Sequence, residues 1–323
     1  MRYELVPGLT VQMAEVEHYI HEAVRSRQSI LSDASARLAE SGGKRLRPLF
    51  VLLGGQFGTA SDPHLARIAA AMEILHMATL VHDDIIDDAP LRRGNPTAQA
   101  RYGKDVAVFV GDFLFTKALM LLEKAKANLG DLARAMTYLC EGEVSQYTSR
   151  FVVPSPLQYL RRIRGKTAAL FGICLVAGAK QCEAGEKDVR RLSEYGQCFG
   201  MAFQIQDDIL DYTSDQGRAG KPVASDVLAG VYTLPLVYAL GHEGLGQQLS
   251  ELLRQGQAQQ DSPGLSGQAV DIVHRARGIS KAILVRNRYI ARALEALRSL
   301  PDNDARSVLE DLPQELFAGP RGG

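Results

Sequence analysis

Apolar residues recur along most of the chain at steps of three and four positions, whereas alternation with a period of two is scarce. Steps of three and four place side chains on one face of an α-helix, so the pattern predicts an all-α fold. The predicted helices cover residues 10–26, 28–40, 46–58, 63–88, 105–125, 130–149, 156–180, 186–213, 229–242, 266–298 and 303–313.

Glycine and proline residues mark the predicted loops between these helices. The clearest breaks fall at 42–43, 90–96, 154–156 and 217–222. No stretch rich in proline and serine divides the chain, which predicts a single domain over residues 1–323. The tail, 319–323, is predicted to be disordered.

Composition limits the kinds of function that the chain can have. With 323 residues and 46% hydrophobic content, the chain can bury a large core. Its 37 basic and 37 acidic side chains cancel, so no overall field favours nucleic acid or an anionic membrane as a partner. A function that depends on charge must therefore be local.

Cys140, Cys174, Cys182 and Cys198 lie in apolar helical stretches and show no C-x-x-C spacing. This distribution fits buried thiols in a reducing compartment better than disulfides or a zinc site. Residues 1–10 lack the features of a signal peptide, and no run approaches eighteen apolar residues. The sequence predicts a cytoplasmic protein without an integral membrane segment, whose product release involves at most transient membrane contact.

One acidic pattern occurs twice, as Asp83-Asp84-Ile85-Ile86-Asp87 and as Asp207-Asp208-Ile209-Leu210-Asp211. On a helix this spacing puts three carboxylates on adjoining parts of one surface, where like charges cost roughly 0.2–0.5 kcal/mol per pair. A single copy is most often a solvated acidic face. Two copies, each preceded by apolar sequence, predict bound cations. Carboxylate oxygens without Cys or His suit Mg²⁺, which completes its shell with water and phosphate oxygens.

Basic residues lie beside glycine or proline in four short motifs. These are Gly43-Lys44-Arg45-Leu46-Arg47-Pro48, Leu91-Arg92-Arg93-Gly94, Arg164-Gly165-Lys166-Thr167 and Gly220-Lys221-Pro222. At such positions the backbone can approach an anion closely, and arginine can bind phosphate oxygens in a fork. Each motif alone is typical of a solvated surface. Together with the acidic clusters, the motifs predict a site for metal and diphosphate.

With these motifs in order, the sequence resembles the trans-type polyprenyl diphosphate synthases, and it is most similar to the catalytic component of heptaprenyl diphosphate synthases. Residues 75–94 resemble the first aspartate-rich region of the family, and residues 203–222 resemble the second. The Gly-Lys-Arg segment, Gly111-Asp112-Phe113-Leu114 and Lys166-Thr167 complete five motifs over residues 40 to 240.

The resemblance implies an antiparallel helical bundle of the isoprenoid synthase type around a deep central cavity. It implies a prenyltransferase that condenses isopentenyl diphosphate with an allylic diphosphate by ionisation, condensation and elimination. The all-trans product would serve a quinone side chain. The family acts as homodimers or with a small accessory subunit, so the resemblance implies one of these partners.

The resemblance also implies roles for individual residues. For about three Mg²⁺ ions, the implied ligands are Asp83, Asp84, Asp87, Asp207, Asp208 and Asp211. The implied catalytic residues include four of these aspartates, Asp83, Asp84, Asp87 and Asp207. They also include three basic residues that would hold the departing diphosphate, Arg92, Lys166 and Lys221. Isopentenyl diphosphate would be bound by Lys44, Arg45, His76 and Arg93. The allylic substrate would be oriented by Thr167 and Gln204, with Phe203 helping to keep water from the cationic carbon.

Two other functions stay open at this point. A shorter product, farnesyl or geranylgeranyl diphosphate, would use the same chemistry. His82, beside Asp83, could instead belong to an HD-type metal-dependent phosphohydrolase, with His64 and His76 as further ligands. That class would leave the second acidic cluster and the Gly-Lys-Pro motif unexplained.

The residues before the first aspartate bear on product length. In the family, a bulky residue four or five positions before it closes the pocket, and here those positions hold Thr79 and Ala78, both small. A pocket bounds the length of the chain it encloses, so the resemblance implies a product of roughly 30 to 50 carbons. On the helix that resembles a deeper tunnel wall, Met136 and Leu139 are candidates for the floor of the pocket, together with Tyr138.

Overall fold

The computed structural model describes residues 2–213, 227, 229–258 and 264–317, and helices dominate them. The helices are α1 Leu9–Ala23, α2 Ser29–Glu40, α3 Leu46–Gly55, α4 Leu65–Ile86, α5 Ala98–Tyr102, α6 Lys104–Lys124, α7 Leu129–Thr148, α8 Pro156–Ile163, α9 Ala169–Gln181, α10 Glu186–Thr213, α11 Leu234–Leu240, α12 Leu245–Ala258, α13 Leu265–Arg275, α14 Gly278–Leu297 and α15 Asp304–Phe317. A short 3₁₀ turn, Arg2–Leu5, precedes them, and a π-helical turn, Arg164–Ala168, joins α8 to α9. The all-α prediction is confirmed.

The described residues form two compact units. The first unit comprises the described residues within Met1–Arg134, Leu170–Gly196 and Leu294–Gly323. The second unit comprises the described residues within Ala135–Ala169 and Gln197–Ala293. Helix α10 runs through the boundary in sequence, because its first part belongs to the first unit and its last part to the second. The single-domain organisation stays a prediction.

Helix α4 is the central helix of the first unit. It packs against α1, α3 and α6. Its small residues at 69–71 are fully buried alanines, which allow neighbouring helices to approach closely. This helix alone, among the described residues, is long and apolar enough to span a membrane, and 72% of its most apolar window is buried within the protein. Burial of this kind is typical of a core helix.

A two-stranded hairpin follows α4. Strands β1 (Leu91–Arg92) and β2 (Asn95–Pro96) pair antiparallel, with Arg92 opposite Asn95. The turn residues Arg93 and Gly94 both have positive φ, 51° and 79°, as a tight type I′ hairpin turn requires. The break predicted at 90–96 is therefore a hairpin that turns the chain back towards α4.

The second unit packs the last part of α10 against α8 and the helices α11 to α14. Its core includes Tyr159, Ile205, Ile209, Leu234 and Val273, all buried. Ser155 caps α8 in a capping box with Gln158, which agrees with the predicted break at 154–156. The break predicted at 217–222 lies outside the described residues.

The predicted helices differ from the observed ones in several places, the first of which is the short helix α5, which was not predicted. The prediction of one helix over 266–298 is wrong, because Arg277, with φ 57°, separates α13 from α14. Gly278 lies so close to Pro235 that a Cβ would meet its carbonyl oxygen at 2.1 Å, a tertiary contact that no local pattern reveals. Helix α12 was not predicted, and the predicted helix 156–180 contains the π-helical turn.

The cysteine prediction is correct at three positions. Cys174, Cys182 and Cys198 are buried free thiols, whereas Cys140 is exposed on α7, so the expectation of burial is wrong there. Burial raises the pKa of Cys174 to about 12, despite the opposing charge of Arg47. A thiol with so high a pKa is unreactive at neutral pH.

Candidate active site

The first aspartate cluster lies at the carboxyl end of α4, and its three carboxylates have different surroundings. Asp84 is buried, with 4% exposure, and it accepts hydrogen bonds from Arg92. Asp83 is half-buried and Asp87 is exposed, one helical turn apart. The backbone N–H of Asp87 donates to the Asp83 carbonyl at 2.9 Å, so the helix continues through the cluster. The outer two carboxylates are therefore the accessible ones.

The hairpin explains why Arg92 reaches Asp84. Strand β1 begins five residues after the end of α4, and the chain reverses between them at Asp88, whose φ is 48°. Arg92 Nε then lies within 3.0 Å of both Asp84 oxygens and Nη2 within 2.8 Å of Oδ1. A fork of this kind is a strong charge-assisted contact. Next to it, Arg93 donates to the carbonyl of Gly42, in the loop that carries the exposed Lys44.

Arg45 is held by the protein itself. Its guanidinium pairs with Glu17 at 2.7 Å and with the buried Glu73 at 3.1 Å, and it donates to the carbonyl of Ala39 at 2.8 Å. Burial opposes its charge, but the hydrogen bond to Glu17 and the two carboxylates outweigh that effect and raise its pKa. These contacts join α1, α2 and α4 at the start of α3. They indicate a structural role for Arg45, and its predicted contact with substrate stays a prediction.

His76 lies two turns before the cluster on α4 and within a strongly positive region. Burial, and then the charges of Arg47, Arg92, Arg93 and Arg45, hold the pKa of His76 well below its usual range. The ring is therefore neutral at physiological pH and can take part in hydrogen bonds without adding charge. Four arginines close enough to act on one imidazole favour an anion as the ligand of this region.

Arg47 is the residue that the sequence prediction missed. It lies at the second position of α3, and its guanidinium is 5.0 Å from the ring centroid of Phe171. Its charge is the largest electrostatic influence on His76 after burial. The Gly-Lys-Arg-Leu-Arg-Pro motif contains Arg47. The sequence does not reveal that Arg45 pairs with acidic side chains of the protein, whereas the charge of Arg47 acts on His76.

His82 contacts α6 and not a metal-ligating cluster. Its Nε2 lies 3.6 Å from Asp112 Oδ1, and the ring packs so closely on Gly111 that a Cβ there would meet Nε2 at 2.1 Å. Across the described residues, no three His, Cys, Asp or Glu side chains converge as a complete metal-ligand set. The phosphohydrolase alternative therefore gains no support from the described part of the chain.

The second aspartate cluster repeats the pattern of the first. On α10, Asp207 and Asp211 are exposed, and Asp208 between them is buried with 5% exposure. Asp208 accepts a hydrogen bond from the Tyr159 hydroxyl and another from Gln204 Nε2 at 2.9 Å. In each cluster the middle carboxylate is held by the protein, and the outer two are accessible.

A chain of hydrogen bonds links the second cluster to the Lys-Thr motif. Thr167 Oγ1 donates to Gln204 Oε1 at 2.8 Å, and Gln204 donates in turn to Asp208. Burial, and then the charge of Asp208, raise the pKa of Tyr159 well above its usual value, so the phenol stays a donor. The predicted residues Thr167, Gln204 and Asp208 are thus brought together.

Lys166 projects from the π-helical turn Arg164–Ala168. Its ammonium nitrogen lies 2.8 Å from Glu143 Oε1 on α7. Single π-helical turns often occur at functional sites.

Phe203 stacks on Phe199 at 6.4 Å between ring centroids, in the half-buried position expected of an apolar shield. Lys221 lies outside the described residues.

The predicted chain-length residues lie in both units. Ala78 is buried on α4, and Thr79 beside it donates its hydroxyl to the His76 carbonyl at 2.8 Å. On α7, Met136 and Leu139 are half-buried, and Tyr138 is exposed. Their role in product length stays a prediction.

The accessible outer carboxylates suit Mg²⁺, which is seldom enclosed by protein ligands alone. Mg²⁺ in phosphate-handling sites is usually held by one or two carboxylates, with waters and phosphate oxygens completing the shell. The accessible pair Asp83 and Asp87, and the accessible pair Asp207 and Asp211, each offer two carboxylates one turn apart. The buried Asp84 and Asp208 are engaged by donors of the protein and would position the accessible pairs.

Comparison with known proteins places the chain in a family. Residues 28–263 match the polyprenyl synthetase family. The chain is 38% identical over 320 residues to heptaprenyl diphosphate synthase component 2 of Geobacillus stearothermophilus, covering 97% of each chain. It is 35% identical over 307 residues to the nonaprenyl diphosphate synthase of Mycobacterium tuberculosis, covering 93% of this chain and 90% of the relative.

A solved structure gives the same result. The polyprenyl synthase of Caulobacter crescentus, complexed with calcium and isoprenyl diphosphate, is similar with a TM-score of 0.91 and 33% identity, covering 98% of this chain and 97% of that one. The chain belongs to the polyprenyl synthetase family, and it is an enzyme of the prenyltransferase class.

Proposed function

We propose that this protein condenses isopentenyl diphosphate with an allylic diphosphate to give a medium- or long-chain all-trans polyprenyl diphosphate, of the kind used for a quinone side chain. The observation that carries the proposal is the repeated arrangement in the two aspartate clusters, where a buried middle carboxylate is fixed and two outer carboxylates are accessible. The heptaprenyl and nonaprenyl relatives support the product class.

In this proposal Asp83, Asp87, Asp207 and Asp211 hold Mg²⁺, about three ions in all by the family resemblance. Mg²⁺ bound there supplies positive charge that stabilises a leaving diphosphate. Asp84 and Asp208 orient the accessible carboxylates, because each is fixed by donors of the protein. The Caulobacter relative is complexed with calcium and isoprenyl diphosphate, which supports a cation site in this family.

The basic residues divide by substrate. Lys166 and Arg92 bind the allylic diphosphate, and Lys221 joins them by resemblance. Lys44, Arg93 and Arg47, beside the neutral His76, bind isopentenyl diphosphate. Positive charge fixed in place before the reaction stabilises the diphosphate as the C–O bond breaks, without reorganisation at that moment.

The rest of the reaction needs exclusion of water more than it needs a strong base. The carbon that loses diphosphate becomes cationic and would be captured by water in an open site. Phe203, stacked on Phe199, provides apolar surface next to Gln204 and the second cluster. The proton released after condensation passes to the departing diphosphate.

The protein acts as a homodimer or with a small accessory subunit in the cytoplasm. In the first unit, α6 exposes Val108, Phe109 and Met120, which is more apolar surface than a solvated helix needs. The relative named component 2 supports a partner subunit. Sedimentation of the purified chain tests this: a mass of 35.2 kDa would contradict the homodimer, and twice that mass is expected.

Incubation of the purified protein with Mg²⁺, isopentenyl diphosphate and farnesyl diphosphate tests the function. A series of polyprenyl diphosphates is expected, and its longest member gives the product length. Asp83→Ala is expected to abolish it. A product that stops at about 20 carbons, one addition beyond the farnesyl primer, would support the shorter-chain alternative. Absence of both product and Mg²⁺-dependent diphosphate binding would contradict the proposal.

A further inference from the structure

An ion pair on the second unit has no part in the proposed function so far. Lys166 Nζ lies 2.8 Å from Oε1 and 2.9 Å from Oε2 of Glu143. The two side chains are only 23% and 16% exposed, so water and salt screen their attraction less than that of a surface pair. A lysine that is expected to bind an anion is thus already in contact with one.

Two glycines allow this contact. A Cβ on Gly142, next to Glu143, would come within 3.0 Å of the Lys166 backbone nitrogen. A Cβ on Gly165, next to Lys166, would come within 3.0 Å of the Tyr138 carbonyl oxygen. Because both positions lack a side chain, helix α7 and the π-helical turn approach this closely without a tight contact between them. The pairing therefore follows from how the two backbones pack.

The contact has a consequence for any diphosphate that binds Lys166. An ammonium has three donors, so phosphate oxygens and a carboxylate can compete for it or share it. A diphosphate on Lys166 also brings negative charge towards Glu143, and like charges at low exposure repel. Glu143 must weaken the binding of that diphosphate, or else move away from it.

We propose that Glu143 is a resident counter-ion of Lys166 that limits how tightly the enzyme holds a diphosphate. Without diphosphate, its carboxylate compensates the partly buried ammonium. With diphosphate bound, its charge opposes the bound anion and speeds the release of inorganic diphosphate after each condensation. Glu143 is thus a positioning residue that acts through Lys166, and this inference rests on the proposed role of Lys166.

The test is the affinity of the Glu143→Gln variant for inorganic diphosphate at a fixed Mg²⁺ concentration, measured by calorimetry. Gln keeps the shape and one acceptor but removes the charge, so the affinity is expected to rise about tenfold, or about 1.4 kcal/mol. The KM for farnesyl diphosphate is expected to fall with it. The control is Glu141→Gln, an exposed carboxylate on the same helix, which is expected to leave both unchanged.

A double-mutant cycle with Lys166→Gln shows whether the effect passes through the lysine. Lys166 is what brings the diphosphate next to Glu143, so once Lys166 is replaced, Glu143→Gln is expected to change the affinity less than twofold. Thermal unfolding verifies the fold, and Glu143→Ser provides a second neutral variant if Glu143→Gln does not fold.

Unchanged or weaker diphosphate binding by a folded neutral variant would overturn the inference, since Glu143 would then only orient Lys166. Product formation by the wild type is measured in parallel. A wild type that neither makes polyprenyl diphosphate nor binds diphosphate with Mg²⁺ contradicts the proposed function. A wild type that makes it, with no gain in affinity in the variants, contradicts this inference alone.

Discussion

At the scale of single residues, the six aspartates of the two clusters differ in their surroundings. Asp84 and Asp208 are buried and fixed by Arg92 and by Tyr159 with Gln204, respectively. The repeated pattern in the sequence shows all six as equivalent. Only packing separates them, because Arg92 comes from a hairpin eight residues away and Tyr159 comes from helix α8. The sequence could therefore predict the clusters but not the division within each.

Asp84→Asn is expected to lower the free energy of unfolding by about 2 kcal/mol, because it leaves the half-buried Arg92 guanidinium without its anion. Denaturant unfolding of the purified variant measures this. The control is Asp88→Asn, which removes an exposed carboxylate paired with the exposed Lys104. Equal losses in the two variants would contradict the structural role of Asp84.

Tyr195 gives a prediction about pH. Its hydroxyl donates to the Leu309 carbonyl at 2.6 Å, and burial, followed by the charge of Glu310, raises its pKa well above 10.0. The stability that it contributes is fully present below about pH 10, the unfolded value, and is lost as the pH rises towards the folded pKa. The protein is therefore expected to lose stability above about pH 10.

Tyr195→Phe is expected to cost about 1 kcal/mol at pH 7, because the hydrogen bond is lost. Above about pH 10 the gap between variant and wild type is expected to close, since phenylalanine does not ionise. Guanidinium unfolding at pH 7 and pH 11 measures both. Tyr147→Phe, at an exposed tyrosine, serves as control. If the difference in unfolding free energy between Tyr195→Phe and the wild type does not change with pH, the raised pKa of Tyr195 is contradicted.

At the scale of elements, helix positions were predictable where apolar periodicity was strong. Helix α10 begins and ends at the predicted residues, 186 and 213. Helix α12 was missed because its leucines are interspersed with glutamines and Gly246 and Gly256, which read as a loop. The break at Arg277 depends on a contact with Pro235, far away in sequence. The sequence predicts the helices whose ends depend on a local pattern. It does not predict the helix ends that depend on tertiary contacts.

The contact between α4 and α6 yields a prediction at this scale. Gly111→Ala is expected to destabilise the protein by about 1 kcal/mol, because the new methyl group overlaps the His82 ring, which must move towards solvent. His82→Ala in the same chain is expected to restore most of that loss. The control is Gly267→Ala, whose methyl group would meet nothing within 4 Å. Thermal unfolding compares them, and a double variant no better than Gly111→Ala would refute the steric explanation.

At the scale of the whole molecule, we predict that a few small side chains set the product length. Ala78→Phe is expected to shorten the product by several isoprene units, because a bulky side chain near the first cluster would stop the growing tail. Chromatography of the products measures this. Ala78→Ser, which keeps the volume small, should retain the wild-type products.

Ala78 is buried, so the phenylalanine also strains packing by about 1–3 kcal/mol. Thermal unfolding of Ala78→Phe establishes that the variant tested is folded. A folded variant with the wild-type product distribution would rule out Ala78 as a determinant of product length.

Segments of the two units alternate along the chain, and this order affects how the protein folds during its synthesis on the ribosome. The first unit includes α15, whose Leu309 accepts the Tyr195 hydrogen bond, so its helices up to residue 134 wait for segment 294–317. At a translation rate of about 5–20 residues per second, the roughly 160 residues between take about 8–30 s. Helix α3, which packs against α9 and α15, stays incompletely covered during that time. Ribosome-bound chains halted at residue 293 should therefore be cleaved by protease in the first unit before the second.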